Sequence, residues 1–269
     1  MTKGLTGTVV IALAFLLISI TLFGCEKVPE EVKLYEKILK ANPKNKNAWF
    51  KRGIILEKYG RYEEALKSYE KALEIDTKFK EAWNGKGGVL RNLNYASRNF
   101  EESIEAYDKA LNIDSKYKEA WYGKSCALGF LLRCEDALKA SAEALKIDPE
   151  YKDAWISKGI DLINLRRWDE ALQSFEEVLR IDSKYTPALL DKGTVLINLG
   201  RNEEALKVLD EYLKVYPESA PGWYEKGLVL NNLGRYEESI KAYNETLRID
   251  PAHKRALEDK NNILIKLKK

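Results

Sequence analysis

Apolar residues recur along this chain with two superimposed periods. Within short stretches they return every three to four residues, which is the spacing of one face of an α-helix. Over longer distances the same order of large, small and polar residues returns about every 34 residues. In residues 152–185, for example, Trp155, Gly159 and Ala171 stand at positions 4, 8 and 20 of such a unit, and two apolar-periodic segments flank a pair of arginines. The unit is therefore predicted to be a hairpin of two helices.

Copies of this unit fill the chain from residue 46 to residue 253, with shorter segments at both ends. Since a pair of helices cannot bury both of its faces, such a hairpin gains stability by stacking on its neighbours. The second copy carries four additional residues around 94–99, which either lengthen its first helix by a turn or enlarge the loop. The predicted divisions are a leader at 1–25, a short linker and N-terminal half-repeat helix at 26–45, six repeats at 46–79, 80–117, 118–151, 152–185, 186–219 and 220–253, and a closing helix at 254–269.

Small residues at fixed positions predict how the two helices of a unit fit together. Gly53 in a first helix and Ala65 in the second helix are expected to let the two backbones approach closely. The large residues around them, including tryptophan at position 4, are expected to form the core. Gly60, Gly200 and Gly234 follow the ends of first helices, where a residue in the left-handed conformation can terminate a helix.

The two end segments are predicted to cover the open faces of the array. In the half-repeat helix, Val32 and Leu39 lie on the apolar side that would pack on the first repeat. In the closing helix, Leu257, Leu264 and Leu267 are predicted to form the packed side.

These repeats resemble the tetratricopeptide repeat family, through the aromatic residue at position 4, the glycine at 8, the alanine at 20 and the aspartate and proline near 31 and 32. The resemblance covers the chain from about Pro29 to its C-terminus. It implies an all-α fold, namely a right-handed α-solenoid of helix hairpins with a half-repeat, six full repeats and a closing helix.

The charge pattern argues against nucleic acid as a partner. The chain has 45 basic and 42 acidic residues, interleaved along its length. Acidic residues precede basic ones by four positions on second helices, as in Glu203 and Lys207, which is typical of a solvated helix surface. A clustered basic face would be expected of a protein that binds nucleic acid.

No motif in the sequence predicts an enzyme. The chain has a single histidine, His253, and no glycine-rich phosphate loop or cluster of metal ligands, so no catalytic, cofactor, metal or small-molecule site is predicted. Cys126 and Cys134 lie in one repeat, which would permit a disulfide in an oxidising compartment. Their helical separation favours two reduced and mostly buried thiols instead.

The N-terminal leader has the layout of an export signal, with Lys3 before a nearly unbroken apolar run that ends at Gly24 and Cys25. The last four residues resemble the lipobox of lipoproteins, which implies lipidation of Cys25, although Phe23 departs from the small residue usual there. Two alternatives are an uncleaved signal anchor and simple secretion. With lipid or anchor, the repeats are expected at the extracytoplasmic face of the cell membrane.

The family resemblance also implies where a partner would bind, because in that family first helices line the concave side. Positions 5 and 9 then form an apolar strip, bordered by asparagines at position 13, that suits an amphipathic helix or an extended peptide. The alternative is that the strip is partly packed and that the asparagines simply end the helices. The residues predicted to contact a partner are Phe50, Ile54, Asn92, Tyr122, Phe130, Ile156, Ile160, Asn164, Leu190, Asn198, Tyr224, Leu228 and Asn232.

The sequence therefore predicts a membrane-attached, non-enzymatic scaffold that binds a protein or peptide partner in its concave groove. One alternative is an assembly factor or chaperone for envelope or pilus components, which would bind unassembled clients transiently. Another is a structural protein that associates with itself through its end helices.

Overall fold

The computed structural model describes residues 29–93 and 97–268, and these ranges form fourteen α-helices and no strand. The chain divides into two compact units, here called the N-terminal and C-terminal units, with the boundary between Ser157 and Lys158. The N-terminal unit contains α1 (Glu30–Ala41), α2 (Lys46–Lys58), α3 (Tyr62–Ile75), α4 (Lys80–Asn92), α5 (Ser97–Ile113), α6 (Lys118–Phe130) and α7 (Cys134–Ile147). The boundary lies in α8 (Lys152–Asn164), and the C-terminal unit continues with α9 (Trp168–Ile181), α10 (Pro187–Asn198), α11 (Asn202–Val215), α12 (Ala220–Asn232), α13 (Tyr236–Ile249) and α14 (Lys254–Leu267).

Within each unit the helices pack in chain order as antiparallel pairs. In the N-terminal unit α2 pairs with α3, α4 with α5 and α6 with α7, and each pair also contacts the next. In the C-terminal unit α10 pairs with α11 and α12 with α13, and α14 packs on α13. The first helices α2, α4 and α6 touch one another in sequence, as do α10 and α12. The predicted all-α solenoid of helix hairpins is thus confirmed in both units.

First helices end at one repeat position that adopts the left-handed conformation. Gly60, Gly200 and Gly234 have φ angles of 70°, 73° and 73°, as predicted. At the first of these ends the amide of Gly60 donates to the carbonyl of Glu57, and the amide of Arg61 donates to the carbonyl of Leu56. These two bonds form a Schellman motif, which satisfies carbonyl groups that the helix leaves without partners.

Leucine and arginine occupy the equivalent position in two other repeats. Leu132 and Arg166 have φ angles of 57° and 58°, which side chains other than glycine adopt at a cost. Their amides donate to the carbonyls of Gly129 and Ile163, which is the same pattern as at the glycines. The fold therefore imposes this turn whether or not a glycine is present.

Glycine at position 8 makes room for an aromatic ring of the second helix. A Cβ added at Gly53 would lie 2.6 Å from the ring of Tyr69, and one added at Gly159 would lie 2.7 Å from the ring of Phe175. Tyr69 and Phe175 are both almost completely buried. The prediction that these glycines serve close backbone approach is thus refined, because the space that they leave is filled by a ring.

The tryptophans at position 4 connect loops to helices and are half-buried. Four of them pack against buried core clusters, so they lie at the edge of the predicted core and not fully inside it. In each case the indole Nε1 donates to a backbone carbonyl six residues earlier, at 2.8 to 2.9 Å. An indole placed at the surface in this way keeps its ring packed while its N–H is satisfied. The residues concerned are Trp49, Trp83, Trp121, Trp155 and Trp223.

The insertion in the second repeat lengthens the second helix. Helix α5 has 17 residues, whereas α3 and α7 have 14, and α4 keeps the 13 residues of α2 and α6. Residues 94–96 of the predicted insertion lie outside the described residues. Neither expected form of the insertion included an extension of the second helix at its N-terminus.

The two ends pack differently from each other. In α1, Val32 and Leu39 are buried as predicted. In α14 the buried residues are Ala256 and Ile263, while Leu257 is 50% exposed and Leu267 is 47% exposed. The predicted side of the closing helix was therefore wrong by about one residue, because packing on the preceding hairpin selects the face. It leaves Leu257 and Leu267 in solvent, while Leu264 is half-buried.

Candidate protein-interaction face

The surface lined by first helices, here called the first-helix face, carries the side chains predicted to contact a partner. In the N-terminal unit this face is formed by α2, α4, α6 and the start of α8. In the C-terminal unit it is formed by the rest of α8 and by α10, α12 and α14. Each unit presents its own mixture of apolar and charged groups.

Aromatic residues of the N-terminal face are partly held by neighbouring rings. The ring centroid of Phe50 lies 5.7 Å from that of Tyr69 and 5.0 Å from that of Phe79. The Tyr122 ring meets Tyr151 edge-on at 5.4 Å. These contacts follow the alternative interpretation, in which part of the strip belongs to the scaffold.

Other predicted apolar residues of the N-terminal unit remain open to solvent. Ile54 is 44% exposed, and Phe130 is 38% exposed although it stacks on Phe100 with ring centroids 5.0 Å apart. Ile156 on α8 is half-buried. An accessible apolar strip, narrower than predicted, is therefore present on this face.

In the C-terminal unit Ile160, Leu190 and Leu228 are half-buried, while Tyr224 is only 7% exposed. The Tyr224 hydroxyl donates to Asp259 Oδ2 at 3.0 Å, and its ring packs against His253. Tyr224 thus anchors α14 on α12 and offers little surface to a partner.

The asparagines of position 13 are the last residues of their helices. Asn92, Asn164, Asn198 and Asn232 end α4, α8, α10 and α12, respectively. The Asn198 amide donates to the Thr194 carbonyl at 2.8 Å, and the Asn232 amide donates to Asn202 Oδ1 at 3.2 Å. At these two positions the amides have intramolecular partners, as expected if the asparagines serve the helix ends.

Charged side chains on the first-helix face of the N-terminal unit were missed by the sequence analysis. Burial raises the pKa of Glu57, and the hydrogen bond from Tyr69, 2.8 Å long, and the charge of Arg91 only partly offset this. Arg91 on α4 is surrounded by protein on nearly every side but remains partly accessible to solvent. Tyr107, Cys126, Tyr122 and Glu57 lie close enough to act on its charge.

In the C-terminal unit the missed groups are carboxylates. Asp161 is 3% exposed, and its Oδ2 has no hydrogen-bond partner among the described residues. Burial raises the pKa of Asp161 to about 7 and that of Asp191 to about 6. Burial also raises the pKa of Glu225 to about 7, opposed by Arg255 and assisted by Asp191. These groups make the C-terminal face a site of incompletely solvated negative charge.

One of these groups could have been found from the repeat pattern. Asp161 stands at position 10, where every other repeat has an apolar side chain. A carboxylate at a repeat position that is otherwise apolar indicates a buried charge. The residues at position 10 of the other repeats are Ile55, Val89, Ala127, Val195 and Val229.

The described residues contain no group of three or more side chains suited to hold a metal ion. Cys126 and Cys134 are not joined by a disulfide, and the Cys126 Sγ lies 4.0 Å from the Ser157 hydroxyl. Among residues 29–93 and 97–268, no helix combines the length and apolar character needed to cross a membrane. Cys25 and the rest of the leader lie outside the described residues.

Family models describe the same repeats. A model for the tetratricopeptide repeat matches residues 122–186 and 190–254, and a second model of that description matches residues 47–79, so that together they cover more than half of the chain. The chain belongs to the tetratricopeptide repeat family. Comparison with curated proteins gave no match.

Solved tetratricopeptide repeat structures share the fold at low sequence identity. YrrB, described as a protein with an unusual peptide-binding site, is 24% identical over 72% of this chain and 98% of its own, with a TM-score of 0.57. PilF from Pseudomonas aeruginosa is 18% identical over 82% of this chain and 97% of its own, with a TM-score of 0.69. A chain of the Cut9–Hcn1 hetero-tetramer of the APC/C is 16% identical with a TM-score of 0.71, covering 87% of this chain and 46% of that chain. At such identities the likeness shows the fold.

Proposed function

We propose that this tetratricopeptide repeat protein is a non-enzymatic scaffold that binds a segment of a partner protein on its first-helix face. The carrying observation is that the first-helix face of each unit leaves apolar side chains accessible and also carries charged groups that packing removes in part from solvent. In the N-terminal unit these are Ile54 and Phe130 beside Arg91. In the C-terminal unit they are Leu190 and Leu228 beside Glu225. A peptide or helix with apolar and charged side chains would complete both.

Membership of the family and the description of YrrB support this kind of function. YrrB is described by its peptide-binding site. The likeness in fold supports the proposal that hairpins of this type can present such a site, and it leaves the partner of this chain to experiment. No reaction is assigned, since the proposed role requires only binding.

We further propose that the protein is attached to the extracytoplasmic face of the cell membrane through its leader. This proposal rests on the sequence alone, with lipidation of Cys25 or an uncleaved anchor as the means of attachment. Intact mass measurement of the purified full chain distinguishes the two, because a lipidated chain begins at Cys25 and carries acyl groups. Recovery of an unmodified secreted chain in the soluble fraction would contradict attachment.

Site-specific photo-crosslinking tests the binding face. A photoreactive benzoylphenylalanine is introduced at Ile54 of the N-terminal unit or at Leu190 of the C-terminal unit. The matched controls are Ile75 on α3, which is 39% exposed, and Val215 on α11, which is 57% exposed. We expect one stoichiometric crosslinked partner from the first-helix positions and little from the controls.

The crosslinking pattern also separates the alternatives. Many substoichiometric products would favour an assembly factor or chaperone, and products made only of this chain would favour self-association. Equal crosslinking from Ile75 and Ile54 would contradict a binding site on the first-helix face.

A further inference from the structure

Arg91 on α4 is a charged side chain of the N-terminal first-helix face. Glu57 of α2, Tyr107 of α5, and Tyr122 and Cys126 of α6 are close enough to act on the charge of its guanidinium. Helices α2, α4 and α6 meet in this order, so Arg91 of α4 lies at the middle of the face. Protein surrounds it, yet part of the side chain remains accessible to solvent.

The guanidinium has no ion pair or hydrogen bond with any residue that the structure describes. The other arginines of the N-terminal unit whose side chains the structure describes differ: Arg52 bonds to Glu36 and Ser68, Arg61 bonds to Glu64, and Arg133 bonds to Asp136. A guanidinium carries five N–H donors, and no nitrogen of Arg91 is among the buried polar atoms without a hydrogen-bond partner. Its donors are therefore open to water and to a ligand, and the described part of the protein supplies them with no acceptor.

Neighbouring groups do not supply that acceptor. Burial raises the pKa of Tyr107 and that of Tyr122, so both phenols are uncharged at neutral pH, and a cysteine sulfur is only a weak acceptor. Glu57 is the only carboxylate among the four neighbours, and its Oε2 accepts the hydroxyl of Tyr69 at 2.8 Å. Since Glu57 does not come within ion-pair distance of Arg91, one negative group can still be added at the guanidinium.

A glycine leaves space for such a group. Gly88 lies one helical turn before Arg91 on the same face of α4. A Cβ added there would lie 3.3 Å from Glu57 Oε1 and 3.8 Å from the Tyr107 hydroxyl. Equivalent positions of the neighbouring first helices carry Ile54 and Cys126. The smallest side chain at this repeat position is therefore on α4, the helix of Arg91, and Glu57 and Tyr107 border the space that it leaves.

We propose, on the basis of the proposed function, that Arg91 binds the side-chain carboxylate of an Asp or Glu within the partner's bound segment. A planar guanidinium and a carboxylate form paired, charge-assisted hydrogen bonds. The acidic residue belongs to the interior of the segment, because accessible apolar groups lie on both sides of Arg91. Ile54 on α2 receives residues on one side, and Tyr122 and Phe130 on α6 receive residues on the other.

The test uses random dodecapeptides displayed on phage and selected on the full chain in detergent. Selected sequences are synthesised with acetylated N-termini and amidated C-termini, so that no terminal carboxylate is present. We expect an acidic residue at a constant place between apolar ones. Replacing it with glutamine should weaken binding to the wild-type protein by about tenfold or more, as measured by fluorescence anisotropy.

Variants of the protein complete a thermodynamic cycle. Arg91→Met should weaken binding of the acidic peptide by the same factor. This variant should bind the acidic peptide and its glutamine counterpart with equal affinity. Lys67→Met removes a positive charge from the exposed surface of α3 and should change nothing. Gly88→Leu should block the space without removing charge, which keeps the proposal testable if Arg91→Met fails to fold.

The outcomes separate this inference from the proposed function. Selected peptides that bind the first-helix face without an acidic residue, or that bind Arg91→Met as tightly as wild type, would overturn the role of Arg91 and leave the scaffold function standing. Each selected peptide is also synthesised with a free C-terminus, and binding by this form but not by the amidated form would identify a terminal carboxylate and would likewise overturn it. Failure to select any peptide dependent on first-helix residues would count against the proposed function itself.

Discussion

The N-terminal and C-terminal units use one kind of hairpin but partly enclose different sets of charges. Both have glycine at position 8 against a buried side chain, and both end first helices with a left-handed residue. In the N-terminal unit the half-enclosed groups are the cation Arg91 and the carboxylate of Glu57, whereas in the C-terminal unit they are the carboxylates of Asp191 and Glu225, and Asp161 is buried in the same unit. The backbone scaffold is thus independent of the charge placed in it, and partner chemistry can differ between two units of the same fold.

Replacing the buried carboxylate of Asp161 should change the stability of the protein more than any other proposed substitution. The result would sharpen the contrast between the two units. Valine occupies the same repeat position, at 0% exposure, as Val89, Val195 and Val229. Because the folded pKa of Asp161, about 7, lies above its unfolded value of about 4, stability falls as pH rises between these values. Asp161→Val should raise the free energy of unfolding by roughly 3 kcal/mol at pH 8 and by less at pH 5.

Urea titrations of the full chain at both pH values check this prediction. The exposed Glu211→Gln serves as the control, because it removes a carboxylate from the surface of the same unit. A loss of stability in Asp161→Val at pH 8, or an equal gain at both pH values, would show that the carboxylate is not a cost to the fold.

Two glycines test whether the scaffold is the same in both units. A Cβ at Gly53 would lie 2.6 Å from the ring of Tyr69, and a Cβ at Gly227 would lie 2.5 Å from the ring of Tyr243. Since both rings are buried, Gly53→Ala and Gly227→Ala should each destabilise the protein by about 2 kcal/mol. Thermal unfolding measures the change.

The matched control for this pair is Gly88→Ala. There the nearest atom is the flexible end of Glu57, at 3.3 Å, and alanine has the higher helix propensity, so no destabilisation is expected. If only one of the two glycine-to-alanine variants lost stability, the two units would not share the same packing at this position.

The carboxylates of the C-terminal face should produce a smaller, pH-dependent effect. Both pKa values are raised in the folded state, to about 6 for Asp191 and about 7 for Glu225. Their ionisation therefore reduces stability as pH rises from about 4 to about 7. The double variant Asp191→Asn/Glu225→Gln should gain about 1 kcal/mol at pH 8 after screening by solvent, and almost nothing at pH 4.

Thermal midpoints at the two pH values measure this gain. The double variant Glu203→Gln/Glu237→Gln is the control, since both side chains are exposed on second helices of the same unit. An unchanged pH profile in the Asp191 and Glu225 variant would mean that these carboxylates are as well solvated as surface ones.

The smallest expected effect compares one helix end from each unit. Leu132→Gly in the N-terminal unit and Arg166→Gly in the C-terminal unit relieve a left-handed conformation and should each stabilise the protein by about 1 kcal/mol. Gly200→Ala should have the opposite sign, because φ is 73° there and no atom lies within 4 Å to provide packing. Thermal midpoints that do not move in these directions would contradict the assigned strain.

Local features of the fold could be predicted well from the sequence. The repeat period, the two helices of each hairpin and the left-handed ends at Gly60, Gly200 and Gly234 depend on neighbours within a few residues. The packed side of α14 could not be predicted, because it depends on which residues the preceding hairpin accepts. Ala256 and Ile263 are buried there and Leu257 is not.

The candidate site was predictable only in part. The apolar positions Ile54 and Phe130 are accessible as expected, whereas Tyr224 is occupied by its bond to Asp259. Whether any of the predicted residues contacts a partner remains a prediction. The charges at Arg91 and Glu225 were overlooked, because charged residues on helices are most often solvated and their spacing carries no sign of burial.

The hydrophobic periodicity and the turn residues of the sequence were enough to determine the helix hairpins, their stacking and the residues at which first helices end. These are short-range properties, since each rests on residues within one helical turn or one repeat. Which charged side chains are partly buried depends on the tertiary structure alone. The groups that act on the charge of Arg91 range from Glu57 to Cys126. Residues so far apart in the chain come close to each other only when the helices pack.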